Sequence, residues 1–138
     1  MALAGACSAG RLEIRTESTK STINVELATT SLAKQIGLMY RDNLAINSGM
    51  LFVYDSPKNV KFWMKNTSIP LDIAFADESG VVRKIIYNTE PFSLKLIEGG
   101  NEIKYVLEVN AGFAKQINLF EGSEFRSAVI GPTAAWAC

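Results

Sequence analysis

The chain has 138 residues, the usual length of one domain, and 48% of them are hydrophobic. Its 14 basic residues balance its 14 acidic ones, so no extended basic surface is available to follow a nucleic-acid backbone. Histidine is absent, which excludes imidazole-dependent triads and removes the commonest metal ligand. No apolar run approaches the roughly 20 residues that cross a bilayer. We therefore expect no transmembrane span, no nucleic acid, no cofactor and no metal, and a binding protein rather than an enzyme.

The two cysteines, Cys7 and Cys138, lie at the two ends of the chain. LAGAC, which ends at Cys7, is similar to the end of a bacterial lipoprotein signal. We interpret residues 1–10 as a signal-sequence remnant or a flexible tail, residues 11–131 as a single β-rich domain and residues 132–138 as a C-terminal tail. An export signal would place the protein in the periplasm or outside the cell. Lipidation of Cys7, a disulfide between the two cysteines and free thiols are the alternatives.

The first half of the body predicts two strands separated by a helix. INVEL (23–27) alternates apolar and polar residues, as half-buried strands do. Ser31 is a suitable cap for a helix, and an apolar stripe at helical spacing follows it: Leu32, Ile36, Met39 and Tyr40. GMLFVYD (49–55) predicts a short buried strand that ends at the turn 56–59.

The second half predicts five more strands and a short helix. The strand segments are VKFWM (60–64), IPLDIAFA (69–76), VVRKIIY (81–87), EIKYVLEV (102–109) and FRSAVI (125–130). The turn 77–80 makes a hairpin of the second and third of them. Asn110 is a suitable cap for a helix with Phe113, Ile117 and Phe120 on one stripe. Short strands with two short helices indicate a mainly β fold, an antiparallel sandwich or barrel.

The segment KFWMKNTSIPLDIAFAD (61–77) places polar side chains at one corner of this fold. Alternation along a strand puts Lys61, Trp63 and Lys65 on the face opposite Phe62 and Met64. An aromatic ring between two cations is typical of either a binding platform or a surface on which lysines cover apolar area. Trp63 could also be a packing residue.

Asp72 is the polar exception in the next predicted strand. Both faces of that strand are otherwise apolar or small, so an ionised carboxylate there needs a partner. Lys65 and Arg41 are the candidates. Asp72 would then belong either to a polar site or to a structural ion pair, and Asn66 is either a site residue or a turn former.

Four segments carry a resemblance to a known family: GLMYR (37–41), GMLFVYD (49–55), FWMKNTSIPLDIAFAD (62–77) and VLEVNAG (106–112). Together, in order over about residues 22–130, they resemble the prokaryotic family called domain of unknown function 192. The resemblance implies a jelly-roll-like β-sandwich or barrel, frequent export behind a signal peptide and no established activity. The family motif corresponds here to Gly37, Met39, Arg41, Gly49, Met50, Phe52, Trp63, Met64, Lys65, Asn66, Thr67, Pro70, Asp72 and Glu108.

Three functions are compatible with these residues. The first is an exported, envelope-associated binding module that holds a small polar molecule or glycan with Trp63, Lys65, Asn66, Asp72, Arg41 and Glu108. The second is a structural module, or one that binds a protein partner of the cell envelope. The third is a hydrolase with Asp72 and Glu108 as its acid and base, although we assign no catalytic residue.

Three methionines raise the question of a copper site. Met39, Met50 and Met64 all lie in the motif segments, and thioether sulfur suits Cu(I). Met39 and Met64 also fall on predicted core faces, and we therefore favour packing roles for them.

Overall fold

The structure is a computed structural model that describes residues 7–138. Most of the predicted signal remnant, residues 1–6, lies outside the described residues. The elements in chain order are β1 (Arg11–Arg15), β2 (Lys20–Ala28), α1 (Ser31–Ile36), β3 (Ser48–Phe62), β4 (Leu71–Asp77), β5 (Val82–Ile86), β6 (Ile97–Asn110), α2 (Phe113–Gln116) and β7 (Glu124–Arg126). The strands form one sheet in the order β5-β4-β6-β3-β2-β1-β7. A mainly β fold with two short helices is thus confirmed.

The sheet curls until its two ends meet. An isolated bridge pairs Val81, just before β5, with Glu124 of β7. The Val82 N–H donates to the Ser123 carbonyl at 2.8 Å, and the Phe125 N–H donates to the Gly80 carbonyl at 2.8 Å. The fold therefore agrees with the barrel alternative, while the jelly-roll designation stays a prediction.

One strand pair is parallel, so the expectation of a wholly antiparallel sheet is wrong there. β2 and β3 run in the same direction, with Val25 opposite Gly49. Parallel neighbours need a crossover between them, and here α1 and the loop after it return the chain to the starting end of β2. The remaining neighbouring pairs are antiparallel.

Two hydrophobic cores lie on opposite faces of the sheet, because successive side chains of a strand point to opposite sides. The first core includes Leu12, Leu51, Ala74, Tyr105, Leu107 and Phe125. The second core includes Phe52, Met64, Ile73, Phe75 and Val106. β4 contributes to both, as its sequence indicated, and all its residues but the last are buried.

β3 is longer than the sequence suggested. It continues through the predicted turn 56–59, and its pairing with β6 shifts register between Val53 and Lys58. Pro57 has no N–H to donate to a regular strand ladder, and an irregular stretch of pairing tolerates such a residue. The predicted strands 49–55 and 60–64 are therefore parts of one strand, β3, rather than two. β3 ends at Phe62, so Trp63 and Met64 lie beyond it.

Both helices are shorter than the predicted stripes. Thr30, not Ser31, caps α1 with its hydroxyl, and Leu32, Ile36 and Tyr40 are exposed instead of forming a buried face. Gly112 precedes α2, while Asn110 remains in β6 and its amide donates to the Leu44 carbonyl at 2.8 Å.

The two ends of the described chain are joined. Cys7 and Cys138 form a disulfide, so the Cys7 sulfur is not available for a lipid thioether in this structure. Trp136, in the segment predicted as a tail, is only 7% exposed, with the guanidinium carbons of Arg15 and Arg126 at 4.5 and 4.3 Å from its ring centroid. Across residues 7–138, no helix is long and apolar enough to cross a bilayer.

Candidate functional site

A cavity of about 540 Å³ opens on the face of the sheet that carries the second core. We call it the Trp63 cavity. α1, the loop after it, β3, the segment after β3 and one side chain of β6 enclose it. Its lining residues are Lys34, Gln35, Ile36, Gly37, Leu38, Met39, Tyr40, Phe52, Tyr54, Lys61, Phe62, Trp63, Met64, Lys65, Asn66, Thr67 and Glu108.

Two loops that line the cavity are tied to each other by hydrogen bonds. The Tyr40 N–H donates to the Asn66 carbonyl at 2.9 Å, and the Asn66 amide donates to the Tyr40 hydroxyl at 2.8 Å. Tyr40 and Asn66 both have positive φ angles, 66° and 55°. Asparagine tolerates this left-handed conformation better than most residues. The conformation of Asn66 is thus part of what holds the rim of the cavity in place.

Trp63 and Lys65 lie on the exposed face that alternation predicts. Trp63 is 42% exposed, whereas Met64 between them is 1% exposed and packs in the second core. The Lys65 ammonium lies 5.1 Å from the Trp63 ring centroid, within the range of a cation–π contact. The predicted association of the Trp63 ring with a cation is therefore confirmed for Lys65.

Glu108 is the buried carboxyl of the site. It lies on β6 opposite Met50 of β3 and Ile73 of β4, and it is 4% exposed. Burial raises the pKa of Glu108 to about 8, because removal from water disfavours the charged form. Burial, together with the nearby Glu108, raises the pKa of Tyr54 to about 12. A perturbed carboxyl inside a cavity is a frequent feature of functional sites.

Arg41 does not line the cavity, contrary to its assignment to the site. Its guanidinium forms a two-pronged ion pair with Glu26 on β2, with 3.0 Å between Nη2 and Oε1. This hydrogen bond lowers the pKa of Glu26. The Arg41 carbonyl also accepts the Ser68 hydroxyl at 3.0 Å. Arg41 therefore connects the loop after α1 to β2 and to the segment between β3 and β4.

Asp72 lies on the other face of the sheet from the cavity. It is opposite Val109 of the first core, whereas its neighbour Ile73 is opposite Glu108. Its carboxylate accepts hydrogen bonds from three backbone N–H groups, those of Asn88 at 2.9 Å, Gly112 at 2.9 Å and Ala114 at 3.2 Å.

Two expectations about Asp72 are therefore wrong. Backbone N–H groups satisfy its carboxylate, so no ion pair with Lys65 or Arg41 forms. The sheet separates Asp72 from Glu108, and an acid and a base on opposite faces cannot flank one glycosidic bond. Alternation along the strand predicts two faces for β4, but both are buried, and nothing in the residue types identifies the one that borders a cavity.

The structure brings Trp63, Lys65, Asn66 and Glu108 together and adds residues that sequence reasoning missed. Lys34 of α1 donates to the Val53 carbonyl at 2.7 Å and lies 4.6 Å from the Tyr54 ring centroid. The motif segments that include Tyr40 and Tyr54 were a usable signal for these two tyrosines. Lys34 had no such signal, because its place depends on the crossover between β2 and β3.

The packing role predicted for Met64 is confirmed, because Met64 is buried in the second core, as is Met50. The core role predicted for Met39 is wrong: its side chain is half-buried and lines the cavity. Among residues 7–138, no group of three or more Cys, Asp or Glu side chains is arranged to hold a metal ion.

Comparison with known proteins gives a family and a fold. The profile of the family DUF192, described as "Uncharacterized ACR", matches residues 12–127. A Sinorhizobium meliloti 1021 protein, provisionally described as a transcription regulator, is 37% identical, with a TM-score of 0.81 over 83% of this chain and 90% of that one. A protein of unknown function from Novosphingobium aromaticivorans DSM 12444 is 32% identical, with a TM-score of 0.80 over 83% and 82%. No curated protein matches. The chain therefore belongs to the DUF192 family.

Proposed function

We propose that this protein is an exported binding module that holds a small polar ligand, such as a glycan unit, in the Trp63 cavity. The observation that carries the proposal is the cavity itself, in which Trp63 and Asn66, from the segment after β3, converge with Glu108 of β6. Its volume of about 540 Å³ lies within the range of small-molecule sites.

The chemistry of the lining suits a ring that carries hydroxyl groups. The partly exposed ring of Trp63 offers a surface on which a sugar ring stacks. The linked pair of Asn66 and Tyr40 offers an amide and a hydroxyl, each with remaining capacity to donate or accept. Apolar walls from Phe52, Phe62 and Met64 would exclude water from the ligand.

Export is the second part of the proposal. Its support is the disulfide between Cys7 and Cys138, since disulfides persist mainly in oxidising compartments such as the periplasm and the extracellular space. We propose a periplasmic or secreted protein whose Cys7 is joined to Cys138 rather than lipidated.

A module for an envelope protein partner is the second candidate. Three large apolar side chains in the segment before β6 favour it: Phe92, Leu94 and Leu96 are 61%, 64% and 56% exposed. We do not propose nucleic-acid binding. The basic and acidic residues of the present chain are equal in number, and three of its lysines line the cavity.

A thermal-shift screen tests the proposal. The panel contains monosaccharides, peptidoglycan fragments, nucleotides and lipids, each with the parent protein and with Trp63→Ala. Phe120→Ala is the matched control, because Phe120 is 47% exposed and lies outside the cavity. A ligand at about 100 times its Kd stabilises the parent by about 2.7 kcal/mol.

We expect a shift in the parent and in Phe120→Ala that Trp63→Ala loses. A panel without any shift, or a shift that Trp63→Ala retains, would contradict a ligand site in the Trp63 cavity. A direct interaction with an envelope protein that Leu94→Ala abolishes would favour the second candidate.

A further inference from the structure

Three lysines and one glutamate are the charged residue types that line the Trp63 cavity. Lys34, Lys61 and Lys65, which we call the lysine rim, come from α1, β3 and the segment after β3. Within the described chain, the lining set contains one acidic side chain, Glu108. The electrostatic character of the cavity therefore depends on whether Glu108 is ionised.

Two ammonium groups of the lysine rim are held against aromatic rings. Lys34 lies over Tyr54 at 4.6 Å and Lys65 over Trp63 at 5.1 Å. An ammonium has three donors, and the Lys34 ammonium donates one to the Val53 carbonyl. A contact of this kind with a ring fixes the position of the ammonium group, and the remaining N–H donors are available for other hydrogen bonds.

Glu108 adds a neutral donor to this arrangement at pH 7. Its carboxyl is buried and its pKa is raised to about 8, so most molecules carry the protonated acid, which donates one hydrogen bond. Gly37 lies directly beside it: a Cβ at Gly37 would be 4.0 Å from Glu108 Oε1 and 3.2 Å from the Phe52 ring. Glycine at position 37 therefore avoids crowding the Phe52 ring in the part of the cavity wall beside this carboxyl.

Resting on the proposed function, we propose that the ligand is an anionic sugar, a ring that carries a carboxylate or phosphate group. The anionic group lies among Lys34, Lys61 and Lys65, and the ring lies against Trp63. The protonated Glu108 donates a hydrogen bond to the ligand. An anionic group supplies a counter-charge to the three ammonium groups of the rim, whereas a neutral sugar does not.

The arrangement makes binding dependent on pH through Glu108. The other titratable side chains of the cavity are Lys34 on α1, Tyr40 in the loop after it, Tyr54 and Lys61 on β3 and Lys65 after β3. Above about pH 8 the Glu108 carboxylate is negative and repels the anion. We expect the affinity to fall about tenfold from about pH 6.5 to about pH 9.

Isothermal titration with matched sugars tests the inference. The pairs are glucose with glucuronic acid and N-acetylglucosamine with N-acetylmuramic acid, and glucose 6-phosphate is the phosphate arm. We expect the anionic member to bind at least about ten times more tightly than its neutral counterpart. Lys65→Gln and Lys61→Gln reduce this ratio, whereas Lys104→Gln, outside the cavity, is the matched control that keeps it. Tighter binding of the phosphate arm than of glucuronic acid identifies the anionic group as a phosphate.

The two proposals fail in different ways. If neutral and anionic sugars bind equally and Trp63→Ala loses both, the cavity binds ligands but the anionic inference is overturned. If no sugar binds to the parent, both the glycan assignment and this inference are overturned. Glu108→Gln gives a second measurement: the affinity ratio between the two pH values falls from about tenfold in the parent to near one. An equal pH dependence in Glu108→Gln and the parent would overturn the role of Glu108.

Discussion

Burial couples the protonation of Glu108 to folding. Its pKa is 4.5 in the reference state and about 8 in the folded protein. Between these values the unfolded chain releases a proton that the folded chain keeps, so the free energy of unfolding falls as the pH rises and levels off above about pH 8. The full effect has an upper value of roughly 5 kcal/mol, at 1.36 kcal/mol for each pH unit.

We therefore expect Glu108→Gln to be more stable than the parent at pH 8, with a difference that shrinks towards pH 5. The carboxyl groups of Glu13, Glu26 and Asp77, whose pKa values are lowered, lose their contribution only as the pH falls below this window. Urea unfolding at several pH values measures the difference, with Glu121→Gln as an exposed control. A parent whose stability is constant from pH 5 to pH 8 would refute the coupling.

Asp72 has the opposite character, a buried carboxylate that the backbone satisfies. Asp72→Asn replaces one acceptor oxygen by an NH2 group, which would face a backbone N–H from Asn88, Gly112 or Ala114. We expect a loss of about 3 kcal/mol in the free energy of unfolding, because hydrogen bonds to charged groups are the stronger ones. Chemical denaturation measures it. A ligand that binds the parent should still bind this variant at a temperature where both are folded, since Asp72 lies across the sheet from the cavity.

The cavity wall depends on the backbone conformation at the end of α1. Gly37 follows the helix with φ +50° and ψ −126°, a combination that only glycine adopts without strain. We expect Gly37→Ala to lower the free energy of unfolding by about 1–3 kcal/mol and to weaken ligand binding. Gly10→Ala is the control, because an added Cβ there meets no atom within 4 Å. Equal melting temperatures for the two variants would contradict the assignment of strain to Gly37.

Sequence patterns predicted the elements better than their ends. The alternation in β4 and at Lys61–Lys65 was read correctly, since a period of two is a local property. The turn predicted at 56–59 was wrong, because β3 continues through these residues. Its pairing with β6 shifts register there instead of ending. The core role predicted for the stripe of Leu32, Ile36 and Tyr40 was wrong: all three are exposed, and Ile36 and Tyr40 line the open cavity.

The site was predictable only as far as neighbours in sequence are neighbours in space. Trp63, Lys65 and Asn66 lie within four residues of one another, and their association was predicted. Glu108 was placed with them through the family resemblance rather than through spacing. The positions of Lys34 and Asp72 depend on long-range sheet topology, which local spacing does not predict. Lys34 lines the site because α1 lies in the crossover between β2 and β3. Asp72 lies outside the site because it is on the other face of the sheet.

At the scale of the whole molecule, the disulfide closes a loop with a sequence separation of 131 residues. Closing a long loop removes conformational freedom from the unfolded chain, so we expect the paired variant Cys7→Ser with Cys138→Ser to lose about 2–4 kcal/mol. Thermal unfolding with and without a reductant measures it. The reductant should lower the midpoint of the parent to that of the variant and leave the variant unchanged. An unchanged midpoint in the reduced parent would show that the joined ends do not contribute.

The opposite surroundings of the two tryptophans give the protein two separate optical signals. Trp63 lies at the cavity with its ring partly in water, and Trp136 is buried, with two guanidinium groups against its ring near the joined ends. Iodide should quench the emission of Trp63 and hardly reach Trp136. A Trp136→Phe protein would then report ligand entry alone, and a Trp63→Phe protein would report the release of the chain ends alone. Ligand entry at the cavity and release of the joined chain ends thus become distinguishable by fluorescence, without an added label.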